Sequence, residues 1–179
     1  MSRTVSILTV LGSLQRRSFN RLLLEIAAAH PPAGVTLVPA VSLDSLPHFN
    51  ADLDGEDTPV AVRDFRAQVT AADAVLFASP EYGHGMPGTL KNALDWLVGS
   101  GELAGKPVAA VCAAQGPDRG KLGLASLVQT LRAEAAVVAW SDTIIVQRVG
   151  APQDAASASA ELIQQVQAVI ARLGEAVVR

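Results

Sequence analysis

The sequence predicts a three-layer α/β sandwich on a five-stranded parallel sheet, and three observations carry that prediction. Five short runs, Thr4–Leu11, Val35–Val38, Ala74–Ala78, Pro107–Ala114 and Ala136–Ile145, are rich in apolar residues, as strands covered on both faces are. Between and after them lie segments with apolar residues at helical spacing. The loops after the first and third runs are the two most unusual stretches of the chain. Strands that alternate with helices imply right-handed crossovers, and therefore a parallel sheet with helices on both faces.

The first strand runs into Gly12-Ser13-Leu14-Gln15-Arg16-Arg17-Ser18-Phe19-Asn20, after which Leu22, Leu23, Ile26 and Ala27 stripe a helix. Ser18 is its natural N-cap, and Pro31 and Pro32 end it. After the brief second strand, Pro39 to Pro59 carries prolines, aspartates and isolated apolar residues with no period, which predicts a long surface loop. Val60 to Ala71 suits a helix. The third strand turns sharply through Ser79-Pro80-Glu81-Tyr82-Gly83-His84-Gly85-Met86-Pro87-Gly88 into a helix striped by Leu90, Ala93, Leu94 and Leu97, with Lys91 and Asp95 paired on another face. The loop Gln115–Gly120 follows the fourth strand, and Leu124, Leu127, Val128 and Leu131 mark the next helix. A break near Ser141-Asp142 is expected in the fifth strand, and a last helix over Asp154–Leu173.

At 179 residues, half of them hydrophobic, the chain suits one domain spanning 1–179. A net charge of −3 without runs of like charge offers neither a nucleic-acid footprint nor a patch for an anionic membrane. Cys112 is the only cysteine, which excludes an internal disulfide and a cysteine-clustered metal site and points to a reducing, cytoplasmic compartment. The N-terminus enters a strand at once, and no apolar run reaches the roughly 20 residues of a membrane span.

In open α/β sheets a ligand sits beyond the carboxyl ends of the strands where the winding reverses. The dinucleotide-binding order asks for G-x-G-x-x-G after the first strand and an acidic residue ending the second; GSLQRRSFN and Val38-Pro39 do not supply them. The flavodoxin-like order 2-1-3-4-5 places its switch point between strands one and three, where the two unusual loops lie. Ser13, Ser18 and Asn20 beside the free amides of a helix N-terminus, with Arg16 and Arg17, make an anion site suited to phosphate. In the second loop, Pro80 and Pro87 fix φ while Gly83, Gly85 and Gly88 expose backbone. A flat ring lying along that backbone would find amides for its polar edge and carry redox chemistry of its own.

These residues resemble the NADPH-dependent FMN reductases, a flavodoxin-like group that includes quinone, azo-dye and chromate reductases. The resemblance covers roughly 5–140. The family's phosphate loop looks like G-S-x-R-x-x-S-x-N, matched by Gly12, Ser13, Ser18 and Asn20; its ring loop looks like S-P-E-Y-N followed by P-G-x-L-K-N-A-x-D-W. The resemblance implies that Ser13, Ser18 and Asn20 hold the phosphate of FMN. Pro80, Glu81, Tyr82 and Gly83 would lie along the ring, and Gln115 and Gly116 would border its other side. Gln15 stands where arginine is usual, which shifts charge neutralisation to Arg16 or Arg17, and Gly83 stands where asparagine is common. The loop QGPDRGKLG departs from the glycine-rich form.

The resemblance further implies NADPH or NADH as donor, a small-molecule acceptor (quinone, free flavin, azo compound or metal oxyanion), two-electron ping-pong transfer, and a homodimer or homotetramer. Chemistry at flavin N5 requires no catalytic side chain, and no metal triad can be assembled from His30, His48 and His84. Cys112 reads as a small buried hydrophobe, Trp96 as a core or subunit-interface anchor, His84 as a residue near the ring or facing solvent. Glu81 is expected to matter through its backbone. A flavodoxin-like electron carrier and a flavin-binding module without turnover are the alternatives. A carrier is disfavoured by the modest charge and the two loop arginines.

Overall fold

The computed structural model describes residues 3–147 and 150–178. Strands β1 (Val5–Leu11), β2 (Val35–Pro39), β3 (Ala74–Ala78), β4 (Pro107–Ala114) and β5 (Val137–Ile145) form one sheet in the order β2-β1-β3-β4-β5, every neighbouring pair parallel. Helices α1 (Phe19–Ala29), α2 (Val60–Ala71), α3 (Gly88–Val98), α4 (Lys121–Ala133) and α5 (Ala160–Val178) supply the crossovers and the closing element. This is the doubly wound order expected from the strand and helix alternation.

Alternation along each strand sends side chains to two separate cores. Leu8, Val10 and Phe77 pack with Phe65 and Val69 of α2, Leu90, Leu94 and Trp96 of α3, and Leu127 and Leu131 of α4. Ile7, Leu76 and Val111 pack on the other face with Leu23 and Ile26 of α1 and Val169, Ile170 and Leu173 of α5. All five residues of β3 are buried, as a central strand covered on both faces requires. Trp96 is fully buried and its indole N–H donates to the Pro47 carbonyl at 2.9 Å, so within this chain it is a core anchor.

Three local expectations need correction. The stretch from Pro39 to Pro59 is not featureless: Pro39 still pairs with Thr9, and two 3-10 turns, Leu43–Ser45 and Ala51–Leu53, lie within it. Leu43 and Leu46 drive it onto the α2 face of the core, which isolated apolar residues cannot signal by period. The irregularity in β5 lies not at Ser141-Asp142 but two residues earlier, where Val138 faces Val108 and Trp140 faces Ala109, leaving Ala139 as the bulged residue. The last helix begins at Ala160. Asp154 instead caps the short turn Ala155–Ser157, accepting from the Ser157 N–H at 2.9 Å and from its hydroxyl, a local closure that competes with starting the helix there. β5 is an edge strand with much of its length exposed.

Candidate functional site

The carboxyl ends of β1, β3 and β4 each deliver one loop to the same end of the sheet, and backbone hydrogen bonds lock their bases together. The Gly12 N–H donates to the Ala78 carbonyl at 2.8 Å and the Ser79 N–H to the Val111 carbonyl at 2.9 Å. A Cβ on Gly12 would lie 3.1 Å from Leu90 Cδ2 and 3.2 Å from Ser79 Oγ, so glycine is what lets the first loop lie against β3.

In that first loop Ser13 is buried and its Oγ accepts from the Gln15 N–H at 3.3 Å; Ser18 caps α1, accepting from the Asn20 N–H at 3.2 Å. The first turn of α1 carries no acidic residue, which leaves its positive end open to an anion. Arg16 and Arg17 are exposed, with no ion-pair partner among the described residues. Sequence reasoning misses Arg21, whose Nε is buried and without a hydrogen-bond partner among the described residues. It lines a cavity with Ser13 and Leu14 of that loop, Pro39 at the end of β2 and Ser42 beyond it, a neighbourhood that its place in the helix does not signal. Asn20 also joins two loops: its Oδ1 accepts the Ala113 N–H at 2.9 Å, tying the start of α1 to the end of β4.

The second loop is a hairpin in miniature. Tyr82 and Gly85 exchange both backbone hydrogen bonds, at 2.9 and 3.0 Å, across Gly83 at φ 55° and His84 at φ 64°. Two central residues with positive φ define the turn type that favours asparagine and glycine. Glycine at 83, where the family resemblance places asparagine, thus preserves the conformation. A Cβ on Gly83 meets no atom within 4 Å, so the backbone there faces open space. Gly83→Val puts a β-branched residue where left-handed backbone costs about 1–2 kcal/mol. The expected result is a loss of FMN affinity of about tenfold, with the melting temperature little changed. Fluorescence titration of apoprotein with FMN checks this, and unchanged affinity would remove residues 80–83 from the cofactor site.

The Glu81 side chain has a partner of its own. Its Oε2 accepts the Gly123 N–H in the first turn of α4 at 2.8 Å, and Cβ on Gly123 would come within 2.8 Å of Glu81 Cβ. The acidic group at a helix N-terminus satisfies one of the orphan amides there. Under it Cys112 is buried, and burial, reinforced by the Glu81 charge, pushes its thiol up to about 11. Such a thiol is no nucleophile at neutral pH.

A cleft of about 210 Å³ separates the second and third loops, lined by Pro80, Glu81, Cys112, Gln115, Arg119 and Gly120 among others. Gln115 is exposed, and a Cβ on Gly116 would meet nothing within 4 Å. The structure therefore brings the predicted residues of all three loops to one end of the sheet. An anion loop at a helix N-terminus, an open backbone turn and a cleft beside it fit FMN.

The sheet order and the loops at its switch point define a protein of the flavodoxin-like class. In structure the chain is similar over 97% of its length to a Bacillus cereus flavodoxin (13% identity, TM-score 0.60, 98% of that chain). It is also similar to the FerB NAD(P)H:(acceptor) oxidoreductase of Paracoccus denitrificans (24% identity, TM-score 0.72, 96% of this chain and 98% of that one). Residues 5–150 match the family model of the NADPH-dependent FMN reductases, and the chain belongs to that family of flavoprotein oxidoreductases, with FMN as cofactor and NAD(P)H as donor. An NAD(P)H-dependent FMN reductase of Pseudomonas aeruginosa is 38% identical over 134 residues, 74% of this chain and 70% of that protein. A quinone reductase of Escherichia coli is 37% identical over 111 residues, which span 60% of this chain and 59% of that protein. Among the described residues no helix is long and apolar enough to cross a membrane.

Proposed function

We propose that this chain, folded as one domain, passes two electrons from NADPH or NADH to a small acceptor by a ping-pong sequence, the oxidised nicotinamide leaving before the acceptor enters. Quinones are the favoured acceptors, by similarity to relatives so named; free flavin, azo compounds and metal oxyanions remain within the class. The observation that carries the reading is the convergence of the loops after β1, β3 and β4, tied by Asn20 to Ala113 and by Glu81 to Gly123.

FMN, when bound, supplies the hydride-accepting and hydride-donating chemistry. Ser13, Gln15, Arg16, Ser18 and Asn20 then bind the phosphate through hydroxyls, free amides and the end of α1. Pro80, Glu81, Tyr82 and Gly83 present backbone along one side of the ring and Gln115 and Gly116 along another, which orients donor and acceptor in turn. Arg21 adds charge beside the anion loop. A homodimer or homotetramer in the cytoplasm, acting on small molecules and not on nucleic acid or membranes, completes the reading.

The test is a visible spectrum of the protein reconstituted with FMN, followed by anaerobic addition of NADPH and, separately, NADH. A flavin band that bleaches with the nucleotide and returns with a quinone is the expected result. Protein that takes up no flavin and oxidises neither nucleotide with any quinone sinks the proposal.

A further inference from the structure

Glu81 and His84 form a pair at the lip of the turn. One carboxylate oxygen of Glu81, Oε2, is held by the Gly123 N–H at 2.8 Å, and the other, Oε1, lies 3.6 Å from Nδ1 of His84. Gly123 lies so close to Glu81 that a Cβ there would come within 2.9 Å of Glu81 Cα. The Tyr82–Gly85 hydrogen bonds fix His84 from the other side, in left-handed backbone that histidine, like asparagine, tolerates better than most residues. α4 meets this loop through Gly123 and Ser126, which carry no charge, and Lys121 at its start lies 3.5 Å from Asp118. The His84 side chain is 80% exposed, and Nδ1 is the ring nitrogen that approaches the carboxylate.

We propose that His84, positioned by Glu81, delivers a proton to a quinone-type acceptor; this rests on residues 80–83 lying along the flavin ring. Reduction of a quinone to a hydroquinone takes up two electrons and two protons. A hydride equivalent, drawn from NAD(P)H through FMN, brings both electrons and one proton. The second proton comes from His84: its Nε2–H bond breaks as an O–H bond forms on the acceptor oxygen, and solvent reprotonates the exposed ring. A carboxylate oxygen facing Nδ1 orients the ring and sets the tautomer by which its other nitrogen meets the acceptor.

His84→Asn keeps a residue that tolerates the turn and removes the proton donor. FMN-loaded protein is assayed with p-benzoquinone and with ferricyanide, which accepts electrons without a proton. The quinone-to-ferricyanide rate ratio is expected to fall by about tenfold to hundredfold. A second readout needs no turnover: with three histidines in the chain, the ring nitrogens of His84 are assignable by NMR. They are expected to show Nδ1 protonated in the native protein and to shift in Glu81→Gln. An unchanged rate ratio in His84→Asn, or ring resonances indifferent to Glu81→Gln, overturns the proposal. Native protein that oxidises no nicotinamide with either acceptor overturns the functional reading itself, and this proposal with it.

Discussion

Gly120→Ala is expected to destabilise the protein by about 2–4 kcal/mol, through left-handed strain and overpacking together. Gly120 is the N-cap of α4 at φ 86°, and a Cβ built on it would lie 2.6 Å from Cys112 Sγ and 3.2 Å from a methyl of Thr143. The sulfur is buried in β4 beneath that cap. Either the cap moves out, taking Gln115 to Arg119 and the cleft with it, or β4 shifts against β5. Cys112→Ala in the same chain removes the closest atom but leaves the φ strain and the 3.2 Å approach to the Cys112 Cβ. The double variant should therefore recover part of the loss. Urea denaturation of the single and double variants checks this; a Gly120→Ala protein as stable as the native one would show that the loop relaxes freely.

Glu134→Gln is expected to flatten the alkaline side of the stability profile. Glu134 ends α4 with both carboxylate oxygens buried and without a partner among the described residues. Burial foremost, then the Asp95 charge with a smaller contribution from Glu102, and against the opposing Lys91, pushes its carboxyl up to about 8 from an ordinary 4.5. The folded state thus keeps a proton that the unfolded chain releases between those values, so stability is present at low pH and falls as pH rises from about 4.5 to about 8. Between about pH 6 and about pH 9 the native protein should lose roughly 2–3 kcal/mol through this group. The glutamine variant has no charge to bury and should not. Denaturation curves at the two pH values, showing the same loss in both proteins, would place the proton elsewhere.

The sheet order was legible because a parallel, doubly covered sheet writes itself as apolar runs alternating with helical stripes, and α2 lies where its period put it. The two switch-point loops were legible from composition: small polar residues before α1, glycines and prolines after β3. Less visible was anything that depends on a partner far along the chain. Glu81 had no sequence neighbour to reveal that its carboxylate reaches Gly123, and Asn20 gave no hint of Ala113. The bulge at Ala139 and the burial of Leu43 and Leu46 escaped local reading for the same reason.

Local sequence by itself determined which residues extend, which coil and where α1 is capped. Propensity, periodicity and capping act within about one turn, so the chain carries those signals in order. The tertiary structure alone decided that the loops are fastened to one another and that Glu81 stands between α4 and an imidazole. Those facts arise from hydrogen bonds and close approaches across as many as 93 residues of separation, and the sum of local preferences contains no information about them.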